Sequence, residues 1–195
     1  MGKIVCLMGK SSSGKDTVYK SLLEKDELQL KRIIPYTTRP IRDGEQNGVE
    51  YHFTNEEGYQ KLNEQGSIIE ARHYNTCHGL WRYFTVADEQ MDLKRHSYLL
   101  IGTLDTYRQI CQAYGAEQVV PVMIELDDGV RLQRALDREK AQEHPRYEEM
   151  CRRFLADAED FSKEKQKEAG IEQAFDNENL EQCIVRIVDY LQSRI

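Results

Sequence analysis

The chain has few cysteines, no long apolar run and no excess of positive charge, and each shortage excludes a class of protein. Cys6, Cys77, Cys111, Cys151 and Cys183 are odd in number and scattered, with no CxxC pair. That usage argues against a disulfide scaffold and for reduced thiols in a cytoplasm. His73, Cys77 and His78 lie close together but bring no fourth ligand, so no metal centre is read there. No segment approaches the ~20 apolar residues of a membrane span. An apolar strand begins within three residues of Met1, so no signal peptide is expected. Basic residues number 27 against 34 acidic, a net charge of −7, which argues against general binding to nucleic acid or membrane surfaces. Any anion site on such a chain must be a local cluster of cations. Internal repeats, low-complexity tracts and linkers are absent as well.

What remains is 195 residues, 39% hydrophobic and 31% charged: one well-filled core, with room for a mobile subdomain. The most informative stretch is Met8-Gly9-Lys10-Ser11-Ser12-Ser13-Gly14-Lys15-Asp16-Thr17. It follows the apolar run Lys3–Leu7, read as a buried strand, and precedes Val18, Leu22 and Leu23 at helical spacing. Strand, glycine-bounded loop and helix in that order make a phosphate-binding P-loop. Gly9 and Gly14 free the backbone so that successive N–H groups, including those of Ser11, Ser12 and Ser13, can face one anion. The first turn of the helix adds unpaired N–H groups and its positive dipole end. Lys15 is expected to reach the β- and γ-phosphates of a nucleoside triphosphate.

One position departs from GxxxxGK[ST]: Asp16 stands where the Mg²⁺-binding hydroxyl is expected, and Thr17 comes next. At ~5 Å and an effective dielectric near 20, a carboxylate and a phosphate repel by about 3 kcal/mol. A cation between them removes that repulsion, and Mg²⁺ prefers oxygen ligands. Asp16 is therefore the first candidate for Mg²⁺, with Thr17 as the alternative if Asp16 caps its own helix.

Further along, Lys31–Ile34 reads as a short strand ending against Pro35. Arg39 and Arg42 follow on a polar loop and could bracket a phosphate with their guanidinium forks, Tyr51 adding a phenol. A merely solvated loop is the alternative, and the P-loop favours the first reading because a kinase needs a second anionic substrate. Asn55–Gln65 reads as a polar helix stopped by Gly66, and Ser67–Arg72 as a strand carrying Glu70. The aromatic stretch Tyr74–Val86 reads as irregular, either a pocket wall or an aromatic core. Tyr98–Gly102 and Val119–Leu126 are further buried strands, separated by a helix over Asp105–Tyr114. Strands alternating with helices imply a parallel, doubly wound sheet. Arg131, Arg134 and Arg138 fall on one face of a helix from Asp127 to about Gln142. A second helix carries Arg146, Arg152 and Arg153, and the pair is either an exposed salt-laced surface or a lid over transferring phosphates. Ala174-Phe175 ends a last short strand, and Leu180, Ile184, Ile187, Val188 and Leu191 make the apolar face of a closing helix.

Laid out this way, the chain resembles the guanylate kinase family over nearly its full length. The most specific piece is Thr37-Thr38-Arg39-Pro40-Ile41-Arg42-Asp43-Gly44-Glu45 with Gly48–Phe53, which is similar to the family's TTRxxRxGExxGxxYxF segment. The P-loop, Ile69-Glu70-Ala71, the helix pair with Arg138 and Arg153, and Asp176-Asn177-Glu178 add to it. The resemblance implies an α/β P-loop fold with a parallel core (about 1–34, 97–126 and 154–195), a small mixed-sheet subdomain for the nucleoside monophosphate (about 35–96) and a helical lid (about 127–153). It implies that Lys15, Arg138 and Arg153 stabilise the transferred phosphoryl group and that Asn177 joins the P-loop at ATP. Arg39, Arg42 and Tyr51 would bind the acceptor's phosphate, Glu70 the guanine edge, with Gly79 in the same site. The implied reaction is Mg²⁺-dependent transfer from ATP to GMP. The same chemistry on another nucleoside monophosphate, or a non-catalytic module binding a phosphorylated protein, are the alternatives. Three departures touch the base-reading half: Pro35 where the family has a serine, Cys77-His78-Gly79-Leu80-Trp81 for its Tyr-Gly-[ST], and Gly102 or Leu104 for its aspartate.

Overall fold

The computed structural model describes every residue except Asp43, Cys77, His78 and Glu89, and also leaves out the side chain of Thr76. Its centre is β1 (Ile4–Gly9), buried at every position. It pairs in parallel with β7 (Tyr98–Gly102) on one side and β8 (Val119–Glu125) on the other, Cys6 facing Leu100 and Pro121. β2 (Lys31–Arg32) and β9 (Ala174–Asp176) complete a five-stranded parallel sheet in the order β2-β7-β1-β8-β9.

A strand covered on both faces must be apolar on both, which is why β1, β7 and β8 read as unbroken hydrophobic runs. Val5 and Leu7 point into a core shared with Val18 and Leu22 of α1 (Lys15–Leu23) and with Ile187 and Leu191 of α7 (Leu180–Gln192). Ile4, Cys6 and Met8 point the other way, to Ile110 of α3 (Leu104–Tyr114) and Phe161. Burial pushes the Cys6 thiol far up, as befits a side chain used for packing.

A second sheet, in the order β4-β3-β6-β5, stands beside the first. It consists of β3 (Tyr36–Thr37), β4 (His52–Phe53), β5 (Ile68–Thr76) and β6 (Gly79–Val86). α2 (Glu56–Glu64), capped by Asn55, packs Tyr59 edge-on against Phe84 at 5.0 Å. Of the stretch Tyr74–Val86, expected to be irregular, the described residues instead lie in the antiparallel pair β5–β6. Both faces of that pair carry aromatic residues, so the polar alternation that marks a half-exposed strand is missing from its sequence. The segment Lys31–Ile34 pairs over only two residues.

α4 (Asp128–Lys140) and α5 (Tyr147–Asp160) form a helix pair beside the P-loop, and a short α6 (Lys163–Glu168), not expected from the sequence, follows. Asp127 starts α4 by accepting from the N–H groups of Gly129 and Val130. Among the described residues no helix is long and apolar enough to cross a membrane.

Candidate active site

The P-loop leaves β1 at Gly9 and enters α1 at Lys15. Gly14 has φ +87°, and a Cβ there would lie 2.4 Å from Nδ2 of Asn177, so conformation and space both require glycine. Ser12 adopts φ +61° without being glycine, a left-handed conformation that costs about 1–2 kcal/mol. Its hydroxyl and that of Ser13 are buried without a hydrogen-bond partner. Strain together with buried unpaired oxygens is characteristic of loops shaped around a ligand. The first ladder bonds of α1 run from Thr17 and Val18 to the carbonyl of Gly14, which leaves the N–H groups of Lys15 and Asp16 at the open end of the helix. The side chains of Lys15, Asp16 and Thr17 make no hydrogen bond among the described residues, and Asp16 does not cap its helix. Asn177 is almost fully buried and donates to the carbonyl of Ser13 at 2.8 Å. It braces the loop from below, where the sequence suggested a contact to the nucleotide.

A second set of contacts ties the helix pair to this loop. Arg131 is 1% exposed, its Nε donating to the carbonyl of Ser11 at 3.0 Å. The same guanidinium pairs with Asp128 and lies 3.5 Å from Asp157. Asp157 accepts from the Ser11 N–H at 2.6 Å, and Phe154 covers the guanidinium plane at 4.8 Å. Lys10 adds an ion pair to Asp128 at 3.3 Å. The three arginines expected along one face of α4 therefore have different fates: Arg131 is a buried clasp, whereas Arg134 and Arg138 are exposed. A guanidinium nitrogen of Arg134 comes within 3.6 Å of where a Gly14 Cβ would stand. Arg138 has no ion pair among the described residues, and Arg153 pairs only with Glu149 at the surface, at 3.0 Å. Hydrogen bonds from Arg152 and then Arg153 hold the Glu149 carboxyl at about 2.

The other anion site lies on the second sheet. Arg39, 3% exposed, makes a two-pronged pair with Glu45 at 2.7 and 2.5 Å. Its guanidinium also stands 5.0 Å from the ring of Tyr51 and 5.3 Å from that of Phe53. These hydrogen bonds hold the Glu45 carboxyl below the usual range. Arg42 reaches Glu45 only through its backbone N–H, and its side chain is exposed. Tyr51 meets Tyr83 edge-on at 5.7 Å, and Tyr83 meets Tyr74 at 5.6 Å. Tyr36, Tyr59 and Phe84 pack on the opposite face, so the aromatics form both a cleft wall and a small core.

Glu70 lies on the cleft face at 1% exposure. Its Oε1 accepts from Thr85 at 2.8 Å, its Oε2 from Thr106 at 3.3 Å, and Arg72 Nε lies 3.3 Å from Oε2. Gly79 is not brought to this group: it pairs with Thr76 at the hairpin end, six residues or roughly 20 Å along the strand from Glu70. Cys77 and His78 lie outside the described residues. Sequence reading missed Arg72, Thr85, Thr106 and Asp157, and it did not separate the buried Arg131 from Arg134 and Arg138. The first two follow from β5–β6 register, but Thr106 reaches Glu70 from α3, which no local pattern signals.

A cavity of about 450 Å³ opens at the carboxyl ends of β8 and β9, lined by Lys10, Asp128, Arg131, Lys163, Asp176 and Glu178 among others. It touches the P-loop at Lys10 and contains neither Lys15 nor the acceptor-side cations.

Comparison with known proteins agrees with this geometry. The family model described as Guanylate kinase matches residues 1–193. A guanylate kinase of Mycoplasma capricolum is 28% identical over 145 residues, covering 71% of this chain and 48% of that protein. One from Enterococcus faecalis is 36% identical over 73 residues, covering 37% of this chain and 36% of that protein. The chain thus spans less than half the length of these curated relatives. A crystal structure of guanylate kinase from Anaplasma phagocytophilum superposes with a TM-score of 0.69 at 22% identity, covering 98% of this chain and 85% of that one. At that identity the superposition speaks for the fold.

Proposed function

The chain belongs to the guanylate kinase family, and from that premise we propose that it transfers the γ-phosphoryl group of ATP to GMP, giving ADP and GDP. The observation that carries this reading is the coexistence of two anion sites of different build. One is a P-loop closed by Gly14 and opening on the N-terminus of α1. The other is a buried arginine framed by Tyr51 and Phe53 on the neighbouring sheet.

In this reading the N–H groups of the P-loop and the Lys15 ammonium hold the β- and γ-phosphates of ATP. Arg39, Arg42 and Tyr51 hold the acceptor's phosphate, with Glu45 keeping the Arg39 fork oriented. Glu70, on the same cleft face, serves the guanine end. Among the described residues Arg138 has no ion pair and Arg153 has one at the surface, so both are available to meet charge on the transferring group as α4 and α5 close. No side-chain nucleophile is needed, because phosphoryl transfer rests on positioning and charge stabilisation.

Mg²⁺ fits the residues present. The Asp16 carboxylate and the Thr17 hydroxyl are hard oxygen donors, exposed and not engaged with other side chains. Magnesium in kinases is usually held by one or two protein oxygens together with substrate phosphates. Asp16, with Thr17 beside it, would hold the ion, which supplies charge neutralisation at the phosphate oxygens. Both substrates are small molecules, consistent with an acidic protein whose cations are gathered locally.

A coupled ADP-release assay over the common nucleoside monophosphates, with ATP and GTP as donors, tests the reading. GMP with ATP is expected to give the highest kcat/KM. Turnover of none of these acceptors would overturn it.

A further inference from the structure

Beside Glu70, Arg72 carries hydrogen-bond donors that meet no acceptor among the described residues. Thr85 and Thr106 both spend their hydroxyl protons on the Glu70 carboxylate. Gly102, behind them, has no side chain, and a Cβ there would stand 2.7 Å from the Thr106 methyl carbon, so that space is filled. Glu70 itself has no side-chain exposure. Arg72, two residues on and on the same face of β5, is different: its side chain keeps 20% exposure.

Arg72 Nε lies at ion-pair distance from Glu70 Oε2 but is not aligned for a hydrogen bond, and it is buried. Among the described residues its two terminal nitrogens have no hydrogen-bond acceptor. Tyr51 and Tyr74 are its other electrostatic neighbours. Opposite Arg72 in register stands Tyr83, whose ring touches both of those tyrosines. A buried carboxylate thus anchors a guanidinium whose fork is uncommitted and faces an aromatic slot of the kind that accepts a flat base.

We infer that Arg72 determines acceptor specificity by donating its guanidinium fork to a base edge carrying two adjacent acceptors, which selects 6-oxopurine nucleoside monophosphates. Resting on the kinase reading above, this inference names the substrate class of that site. An arginine fork matches the O6 and N7 acceptors of guanine, and hypoxanthine offers the same pair. Adenine places an amino donor where O6 would be, so one arm of the fork would meet a donor and lose its partner. Glu70, whose side chain is closed off from solvent, holds the guanidinium in place from behind. The 2-amino group is not required by Arg72, so IMP should follow GMP.

The test compares wild type, R72K and R72M. R72K keeps a cation beside Glu70 and preserves the fold if R72M does not. Equilibrium binding of GMP, IMP and AMP is measured by calorimetry, and turnover by the coupled assay. R72K is expected to weaken GMP and IMP in parallel by about tenfold or more, the usual worth of such a fork. AMP binding should change by less than about twofold, and kcat at saturating acceptor by less than about threefold. ATP affinity should not move.

Equal weakening of all three nucleotides would overturn the inference, since it would make Arg72 a phosphate contact. Unchanged selectivity in a folded R72K would overturn it too, leaving only a structural counter-ion to Glu70. The kinase reading fails separately: wild type that binds the 6-oxopurines selectively but phosphorylates none would overturn the reaction, while the binding ratios still decide the role of Arg72.

Discussion

Arg39 and Asp16 show what a single position contributes to this site. Arg39 is buried, yet its charge is matched by Glu45 and its plane by two rings, so it stays in place before any substrate arrives. In the proposed reaction this gives the acceptor phosphate a preorganised donor. Arg39→Ala should raise KM for GMP by an amount corresponding to roughly 1.5–3 kcal/mol, with KM for ATP nearly unchanged. Steady-state kinetics with each substrate varied in turn check this, and equal losses for both would place the arginine elsewhere. Asp16, exposed and capping nothing, is predicted to tie ATP affinity to Mg²⁺. Wild type should lose more ATP affinity on addition of EDTA than Asp16→Ser does. Identical Mg²⁺ dependence in the two proteins would remove the ion from that carboxylate. The P-loop between β1 and α1 was legible in the sequence because it is local, its conformation being set by neighbours in the chain. Arg72, Thr85 and Thr106 were not, because they meet Glu70 only after two strands pair and a helix from the other sheet docks.

At the scale of elements, the junction between the P-loop and α4–α5 matters most. Spacing alone places Arg131, Arg134 and Arg138 on one helical face, and that much was readable. Which of them is buried depends on Asp157 and Phe154 arriving from the next helix, and that was not. Arg131 links three elements: the Ser11 carbonyl in the loop, Asp128 in α4 and Asp157 in α5. Arg131→Met removes a buried cation and leaves Asp157 on the Ser11 N–H without its counter-charge. Removing one partner of a buried pair typically costs about 3–5 kcal/mol. Urea unfolding should show a loss of about 3 kcal/mol or more, and ATP affinity should fall with it as the loop loosens. A variant of unchanged stability would mean that the loop holds its shape without the clasp. The hairpin of β5 and β6 carries a related lesson. Its residues alternate as a strand requires, but tyrosines on the cleft face and Phe84 on the core face hide the alternation.

For the molecule as a whole, the doubly wound sheet was the most legible feature. The three central strands of the parallel sheet are covered on both faces and have to be apolar throughout, and they stand out in the sequence as unbroken runs. The edge strands β2 and β9 are short and carry little signal. Net charge is −7, so the anion sites proposed at Lys15, Arg39, Arg42, Arg138 and Arg153 would be local clusters on an acidic protein. The central claim is that these sites belong to one phosphoryl-transfer reaction started at Lys15. The most direct measurement is ADP and GDP formation from ATP and GMP by wild type and by folded Lys15→Met. Wild type should turn over GMP, and the variant should retain its fold while losing on the order of 10²–10³ in rate, the usual effect of deleting a transition-state charge contact. A folded variant keeping more than about a third of wild-type turnover would contradict the assignment of Lys15, and with it the chemistry proposed for the loop.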